Sequence, residues 1–350
     1  MTPEAREQTV LEAVRERREL VNDAIEADLP ITEPERLYEA SRYLLDAGGK
    51  RLRPAMLLLV GEALLEADPL SEGYREFPTL VADEPAIDLM KAAVSVEVIQ
   101  SFTLIHDDIM DQDEMRRGVP AVHVQYDPET AILAGDTLYS KAFEIMIESG
   151  APPDRAIEAL DTLASTCTRI CEGQSLDVDF ETRPTVRTDE YLDMIDRKTA
   201  VLYAAASSIP AILLGADERT QRALADYGHS VGKAFQIHDD VLDLTVPSED
   251  LGKQRGSDLV EGKRTIITLH AREQGVDVEN LVEADTPEDV TERSIEEAVA
   301  VLKDAGSIDY ARSLAREYVA EGKDHLRVLP DGEARVRLEQ VADYLIERGY

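Results

Sequence analysis

Residues 94–111 read Val-Ser-Val-Glu-Val-Ile-Gln-Ser-Phe-Thr-Leu-Ile-His-Asp-Asp-Ile-Met-Asp, and this stretch decides the fold. Val94, Val96, Val98, Ile99, Phe102, Leu104 and Ile105 surround a helix axis on nearly every side, which predicts a helix buried in a protein core. It ends in carboxylates. At about 100° per residue, Asp107 and Asp111 lie one turn apart on one face with Asp108 beside them. Several like charges at the end of a core helix are costly unless a cation is shared among them. The spacing recurs once, at Asp239-Asp240-Val241-Leu242-Asp243, closing a second apolar helix that contains Val231, Phe235 and Ile237.

Outside these two stretches, apolar residues still recur at three and four positions, while alternating β-branched runs closed by tight hairpins are hardly present. Helices are expected at about 4–27, 35–47, 52–67, 86–112, 128–149, 154–177, 188–206, 217–244, 263–273, 290–303, 308–327 and 331–348, so the fold class is all-α. Pro85 suits a first helical turn, Gly48-Gly49 and Gly118 suit helix ends, and Pro184 and Pro247 interrupt helical patterns. The stretches 67–84 and 283–290 are acidic and poorly periodic, and are expected as surface loops. The 350 residues are expected as one domain, with the motifs between about 43 and 265 and the helices of about 290–348 part of the same body.

Charge narrows the partners. The chain has 72 acidic and 37 basic residues, a net charge of −35 spread along its whole length. Such a surface repels nucleic-acid phosphates and anionic membranes, so no nucleic-acid partner is expected. With 43% hydrophobic residues and clear periodicity, the acidity does not signal disorder. Molar salt, where the Debye length shrinks to about 3 Å, makes the self-repulsion tolerable, which points to a halophile. No run of roughly 18 apolar residues predicts a membrane span. The start, MTPEAREQTVLEAVRERREL, is charged and lacks the apolar stretch of a secretory signal, so a cytoplasmic protein is expected. Cys167 and Cys171, four apart on an expected helix, read as small core residues in a reducing compartment.

Carboxylate oxygens suit hard cations, and magnesium takes one or two carboxylates and completes its shell with water and phosphate. One DDxxD carries little in so acidic a chain; two, each closing an apolar helix, point to a clamped polyphosphate. Cations stand beside both. Arg116-Arg117 follow the first cluster and Gly48-Gly49-Lys50-Arg51-Leu52-Arg53-Pro54 precedes it. Around the second lie Lys198-Thr199, Gln236, Lys253 and Lys263. Only nine lysines occur, and four of them fall in these motifs. Arginine's planar fork and lysine's compact charge both suit diphosphate oxygens.

From Tyr43 to Lys263 the chain closely resembles the trans-isoprenyl diphosphate synthase (polyprenyl synthetase) family. The motifs come in the family's order: GGKRLRP at 48–54, the Asp-rich segment running into RRG at 107–118, Ala-Gly-Asp-Thr at 134–137, Cys-Glu-Gly-Gln at 171–174, Lys198-Thr199, FQIHDDVLD at 235–243 and GSDL at 256–259. The resemblance implies a helical bundle around a central cavity, with the two Asp clusters facing each other across its mouth. It implies three magnesium ions, two on Asp107 and Asp111 and the third on Asp239, with Asp108, Asp240 and Asp243 in support. Arg116, Lys198 and Lys263 would hold the allylic diphosphate, near Gln236, Thr199 and Lys253. Lys50, Arg53, Arg117 and Gln100 would hold isopentenyl diphosphate; many members carry His where this chain has Gln100. A homodimer is implied as well.

The family's reaction ionises an allylic carbon–oxygen bond, lets the isopentenyl double bond attack the carbocation, and removes a proton, with the released diphosphate as base. No general base is therefore assigned, and His106 and His238 read as packing or hydrogen-bonding residues. Starters would be dimethylallyl, geranyl and farnesyl diphosphate. Product length is expected to depend on Phe102 and Thr103, about one turn before Asp107. With no insertion in the first motif and one aromatic there, the pattern resembles family members that stop near twenty carbons, and geranylgeranyl diphosphate is expected, with farnesyl diphosphate the alternative. Two other readings are a terpene cyclase, which needs no isopentenyl site such as Lys50, Arg53 and Arg117 form, and a non-catalytic partner subunit, which typically lacks one Asp motif.

Overall fold

The structure is a computed structural model that describes residues 3–68, 70, 73–247, 255–282 and 291–347, with side chains from residue 11 onward. Its elements are α1 (Pro3–Asp28), α2 (Glu35–Asp46), α3 (Leu52–Leu64), α4 (Leu89–Met110), a two-stranded hairpin of β1 (Met115–Arg116) and β2 (Val119–Pro120), α5 (Val122–Gln125), α6 (Pro128–Ile147), α7 (Pro153–Thr182), α8 (Thr188–Ile195), α9 (Val201–Leu214), α10 (Glu218–Thr245), α11 (Ser257–Val260), α12 (Ile266–Glu273), α13 (Glu292–Asp304), α14 (Ser307–His325) and α15 (Glu333–Glu347). The fold is all-α apart from that hairpin. Among the described residues no helix is long and apolar enough to cross a membrane.

Contacts gather the chain into two compact units. The first holds residues up to Cys167 with Ala204–Ala225 and Leu326–Val341. α4 is its axis, packed against α1, α2, α3 and α6, and Val94, Val96, Val98, Ile99 and Ile105 are wholly buried, as an all-round apolar helix requires. Asp88 starts α4 by accepting the Lys91 N–H at 3.1 Å, so Pro85 precedes the helix instead of lying in its first turn. α3 is equally buried, and its Glu62 takes both Arg17 Nη2 bonds at 2.7 and 2.6 Å and the Tyr74 hydroxyl. The expected surface loop 67–84 therefore contributes to the core: Tyr74 and Phe77 are buried, and Phe77 exchanges two backbone bonds with Ile87.

Gly118 does not end a helix. Arg117 (φ 53°) and Gly118 (φ 77°) form the two-residue turn between β1 and β2, and positive φ at both central positions is the twist a tight hairpin needs.

The second unit holds Thr168–Tyr203, Asp226–His325 and the residues from Ala342 on. Here α12 packs on α8, α13 and α14. The helix expected over 188–206 is broken: α8 passes into a π turn, Asp196–Ala200, before α9 resumes and continues through Pro210 to Leu214. The other expected helices match to within a few residues, except that α7 runs on to Thr182, where Pro184 stops it. Of the two cysteines, Cys167 is buried but Cys171 is exposed, so the core reading fails for the second. The expected loop at 283–290 lies outside the described residues.

Candidate active site

The end of α4 sorts its carboxylates. Asp108 is fully buried, Asp107 half-buried and Asp111 exposed. Asp108 Oδ1 accepts Arg116 Nε at 2.6 Å, and Arg116 Nη2 reaches Asp113 at 2.8 Å, so the hairpin folds back on the helix end. Burial pushes the Asp108 carboxyl up to about 6 despite Arg116. Its Oδ2 is buried without a hydrogen-bond partner among the described residues, an orphaned hard oxygen donor.

A second cation system ties the hairpin to GGKRLRP. Arg117 Nη1 donates to the carbonyls of Leu44 at 3.1 Å and Gly48 at 2.5 Å, and its guanidinium lies against Gly49, where a Cβ would meet Cζ at 3.1 Å. Buried Glu97 accepts Arg51 Nη1 at 2.5 Å and Arg117 Nη2 at 3.4 Å. Arg51 also bonds Asn22 and the Leu45 carbonyl. Arg51 carries no role of its own in the motif, and nothing near Glu97 in the sequence marks it as ionic; together they form the strut that ties Arg117 to the segment holding exposed Lys50 and half-buried Arg53. Burial draws the Arg117 guanidinium below its usual range.

Phe102 sits edge-on to His106 and to Tyr139 of α6, at ring separations of 5.0 and 5.4 Å, and Tyr139 continues to Phe143 at 5.1 Å. His106 Nε2 lies 3.2 Å from the Ile132 carbonyl and is packed over Gly135, whose missing Cβ would fall 2.2 Å from that nitrogen. The Ala-Gly-Asp-Thr segment is thus a seat for His106, which packs and hydrogen-bonds. Thr103 bonds back within its own helix, its hydroxyl donating to the Gln100 carbonyl at 2.9 Å.

In the second unit, α10 presents Asp239 half-buried and holds Asp240 and Asp243 inside. Asp240 accepts the Tyr191 hydroxyl at 2.5 Å and Gln236 Nε2 at 3.2 Å, while Thr199 donates to Gln236 Oε1 at 2.9 Å. Burial, reinforced by Asp258, raises the Asp240 carboxyl well above its ordinary value. Asp243 takes the Ser257 hydroxyl at 2.9 Å and the Asp258 N–H at 3.3 Å, which explains why GSDL accompanies the second cluster. Lys198 pairs with Asp177 at 2.5 Å, and Lys263 with Glu261 at 3.0 Å. Lys198, Thr199, Gln236, Asp240, Asp258 and Lys263 line a cavity of about 110 Å³. Asp177 and Tyr191 lie in no motif, and Asp258, though within GSDL, carried no role of its own, because each joins the site by tertiary contact. Lys253 lies outside the described residues.

Among the described residues no three His, Cys, Asp or Glu side chains form a cage for an ion. The donors that reach the surface are carboxylate oxygens in ones and twos, a set that fits magnesium, whose remaining ligands come from water and phosphate.

Residues 34–302 match the polyprenyl synthetase family. Over 338 residues, 97% of each chain, the protein is 66% identical to a geranylfarnesyl diphosphate synthase of Natronomonas pharaonis, and over 98% of its length it is 49% identical to a geranylgeranyl diphosphate synthase of Methanosarcina mazei. Its fold matches the solved geranylgeranyl pyrophosphate synthetase of Geoglobus acetivorans with a TM-score of 0.84 at 45% identity, covering 96% of this chain and 99% of that one. The first of these relatives comes from a haloarchaeon, in keeping with the acidic surface. A match this long, with relatives this similar from end to end, places the chain in the polyprenyl synthetase family, as a trans-prenyltransferase that makes short-chain prenyl diphosphates.

Proposed function

We propose that the protein condenses isopentenyl diphosphate with dimethylallyl, geranyl and farnesyl diphosphates and releases geranylgeranyl diphosphate as its main product. The observation that supports the reaction is the sorting of the carboxylates by burial: Asp108, Asp240 and Asp243 lie inside, bonded to Arg116, Tyr191 and Ser257, while Asp107 and Asp239 are half-buried and Asp111 is exposed, and we assign these last three as the ligands. These three hold magnesium, in our reading three ions, and the metal supplies charge neutralisation of the departing diphosphate. We assign Lys198, Lys263, Thr199, Gln236 and Arg116 to the allylic diphosphate, together with Lys253, which lies outside the described residues, and Lys50, Arg53, Arg117 and Gln100 to isopentenyl diphosphate. When the allylic carbon–oxygen bond breaks, its electron pair leaves with the diphosphate. The isopentenyl double bond then forms the new carbon–carbon bond, and a proton passes to the released diphosphate, its C–H electron pair restoring a double bond. The chain's own part is to orient both substrates and keep lysine charge on the leaving group.

The C20 assignment rests on Phe102, next to Thr103 one turn before Asp107, and braced by Tyr139 and His106. A second reading, a C25 product, is favoured by the name of the relative at 66% identity. We further propose a homodimer, supported by Ile132, Leu133, Tyr139 and Ile147 exposed along α6. The deciding experiment supplies labelled isopentenyl diphosphate with each allylic starter, in molar salt with magnesium, and chromatographs the dephosphorylated products. A main C20 alcohol is expected, C25 selects the second reading, and C15 alone the shorter alternative. Absence of label in any product overturns the isopentenyl site.

A further inference from the structure

The π turn between α8 and α9 carries Lys198 and Thr199 and is gripped by two helices. A π turn holds one residue more than an α turn, which displaces the side chains after it, and such turns are rare unless the surroundings enforce them. On one side is Gly173 of α7: a Cβ there would fall 2.4 Å from the Lys198 backbone nitrogen and 2.7 Å from its Cα. On the other is Gly232 of α10, where a Cβ would fall 2.5 Å from the Ala200 Cα. The same helices supply partners to Asp196, the first residue of the turn. Arg169, one helical turn before Gly173, donates Nη2 to Asp196 Oδ2 at 2.8 Å. His229, three residues before Gly232, sets Nδ1 2.9 Å from Asp196 Oδ1. Lys233 Nζ lies 4.0 Å from the same oxygen and 4.5 Å from the centre of the Tyr318 ring.

We infer that Asp196 is a positioning residue for the allylic diphosphate site: clamped by Arg169 and His229, it anchors the π turn that aims Lys198 and Thr199 into their cavity. Asp196 does not line that cavity, whereas Lys198 and Thr199, two and three residues on, do. Its influence therefore passes through the backbone. Although burial opposes charge, His229, Lys233 and Arg169 hold the Asp196 carboxyl below the usual carboxylate range, so the clamp is ionic in the folded protein. Without it, the turn can relax toward α geometry and rotate Lys198 away, and misplacement of a binding group by about 1 Å costs on the order of 10²-fold.

The inference rests on Lys198 and Thr199 serving the allylic diphosphate, and the test separates the two. KM for geranyl diphosphate and for isopentenyl diphosphate is measured in molar salt for wild type, Lys198→Ala, Asp196→Asn and the double variant. Expected are a rise of at least roughly tenfold in the geranyl KM for each single variant, an isopentenyl KM within about twofold of wild type, and a double variant no worse than Lys198→Ala. An unchanged geranyl KM in Lys198→Ala refutes the site reading itself. If Lys198→Ala responds but Asp196→Asn does not, or if the two effects multiply, the positioning role of Asp196 is overturned. Arg169→Met, which leaves His229 and Lys233 on the carboxylate, runs the same comparison should Asp196→Asn not fold; there an unchanged geranyl KM overturns the role as well.

Discussion

Replacing Glu97 by Gln probes the ionic strut under the GGKRLRP segment. The Arg51 and Glu97 side chains are 1% and 4% exposed and 2.5 Å apart, and Arg117 shares the same carboxylate at 3.4 Å. The amide keeps the shape and one acceptor but leaves buried Arg51 and half-buried Arg117 without this counter-charge. Breaking a buried pair from one side costs about 3–5 kcal/mol, and the surviving acceptor places Glu97→Gln near about 3 kcal/mol. At about 2 °C per kcal/mol for a large domain, the thermal midpoint falls by about 6 °C. Because the pair is out of solvent, the loss persists in molar salt. Arg15→Ala, which breaks a pair whose side chains are 71% and 62% exposed, changes stability by less than about 0.5 kcal/mol. The assay is circular dichroism through heat and denaturant unfolding at high salt, joined to the isopentenyl KM, which rises as Arg117 loosens. A loss under about 1 kcal/mol for Glu97→Gln refutes the strut.

Further outcomes follow from the same geometry. Asp107→Ala or Asp239→Ala lowers turnover by at least roughly 10²-fold, and near-normal turnover in saturating magnesium removes them from the ligand set. Phe102→Ala lengthens the product, read by chromatography of dephosphorylated alcohols; an unchanged distribution rules out Phe102 as the limit. Gly135→Ala drives a methyl into His106 and destabilises by about 1–3 kcal/mol, checked by denaturant midpoint. The Asp196 carboxyl, faced by His229, Lys233, Arg169 and Tyr318, titrates below its unfolded value of about 3.9. Its contribution is complete above about pH 5 and is lost as pH falls through the folded value, so the acid limb of stability is shallower in Asp196→Asn than in wild type. Parallel limbs contradict the ionic clamp.

Element by element, what was readable in the sequence was local. The apolar wrap of α4 and α10 and the one-turn spacing of their carboxylates follow from residues within a few positions of each other, as do the stops at Pro184 and Gly48-Gly49. The misjudged places are those where a distant partner overrides local preference. Tyr74 and Phe77 sit in an aperiodic acidic stretch yet are buried against α3 and Ile87. Arg117-Gly118 became a hairpin turn because Arg116 is drawn back onto Asp108. The π turn interrupts a continuous helical pattern because Gly173 and Gly232 let two helices press on it.

By itself, then, the sequence determined a helical protein with two carboxylate-tipped core helices, a halophile's acidic surface and a set of cations gathered in short motifs, because composition, periodicity and short spacings are properties of neighbouring residues. Tertiary structure alone decided which carboxylates turn inward to Arg116, Tyr191 and Ser257, which arginines brace instead of reaching outward, and where the π turn aims Lys198. Those outcomes depend on burial and on charges that meet across tens of residues: desolvation penalises every unpaired ion, and only the folded chain reveals which ions have found a partner.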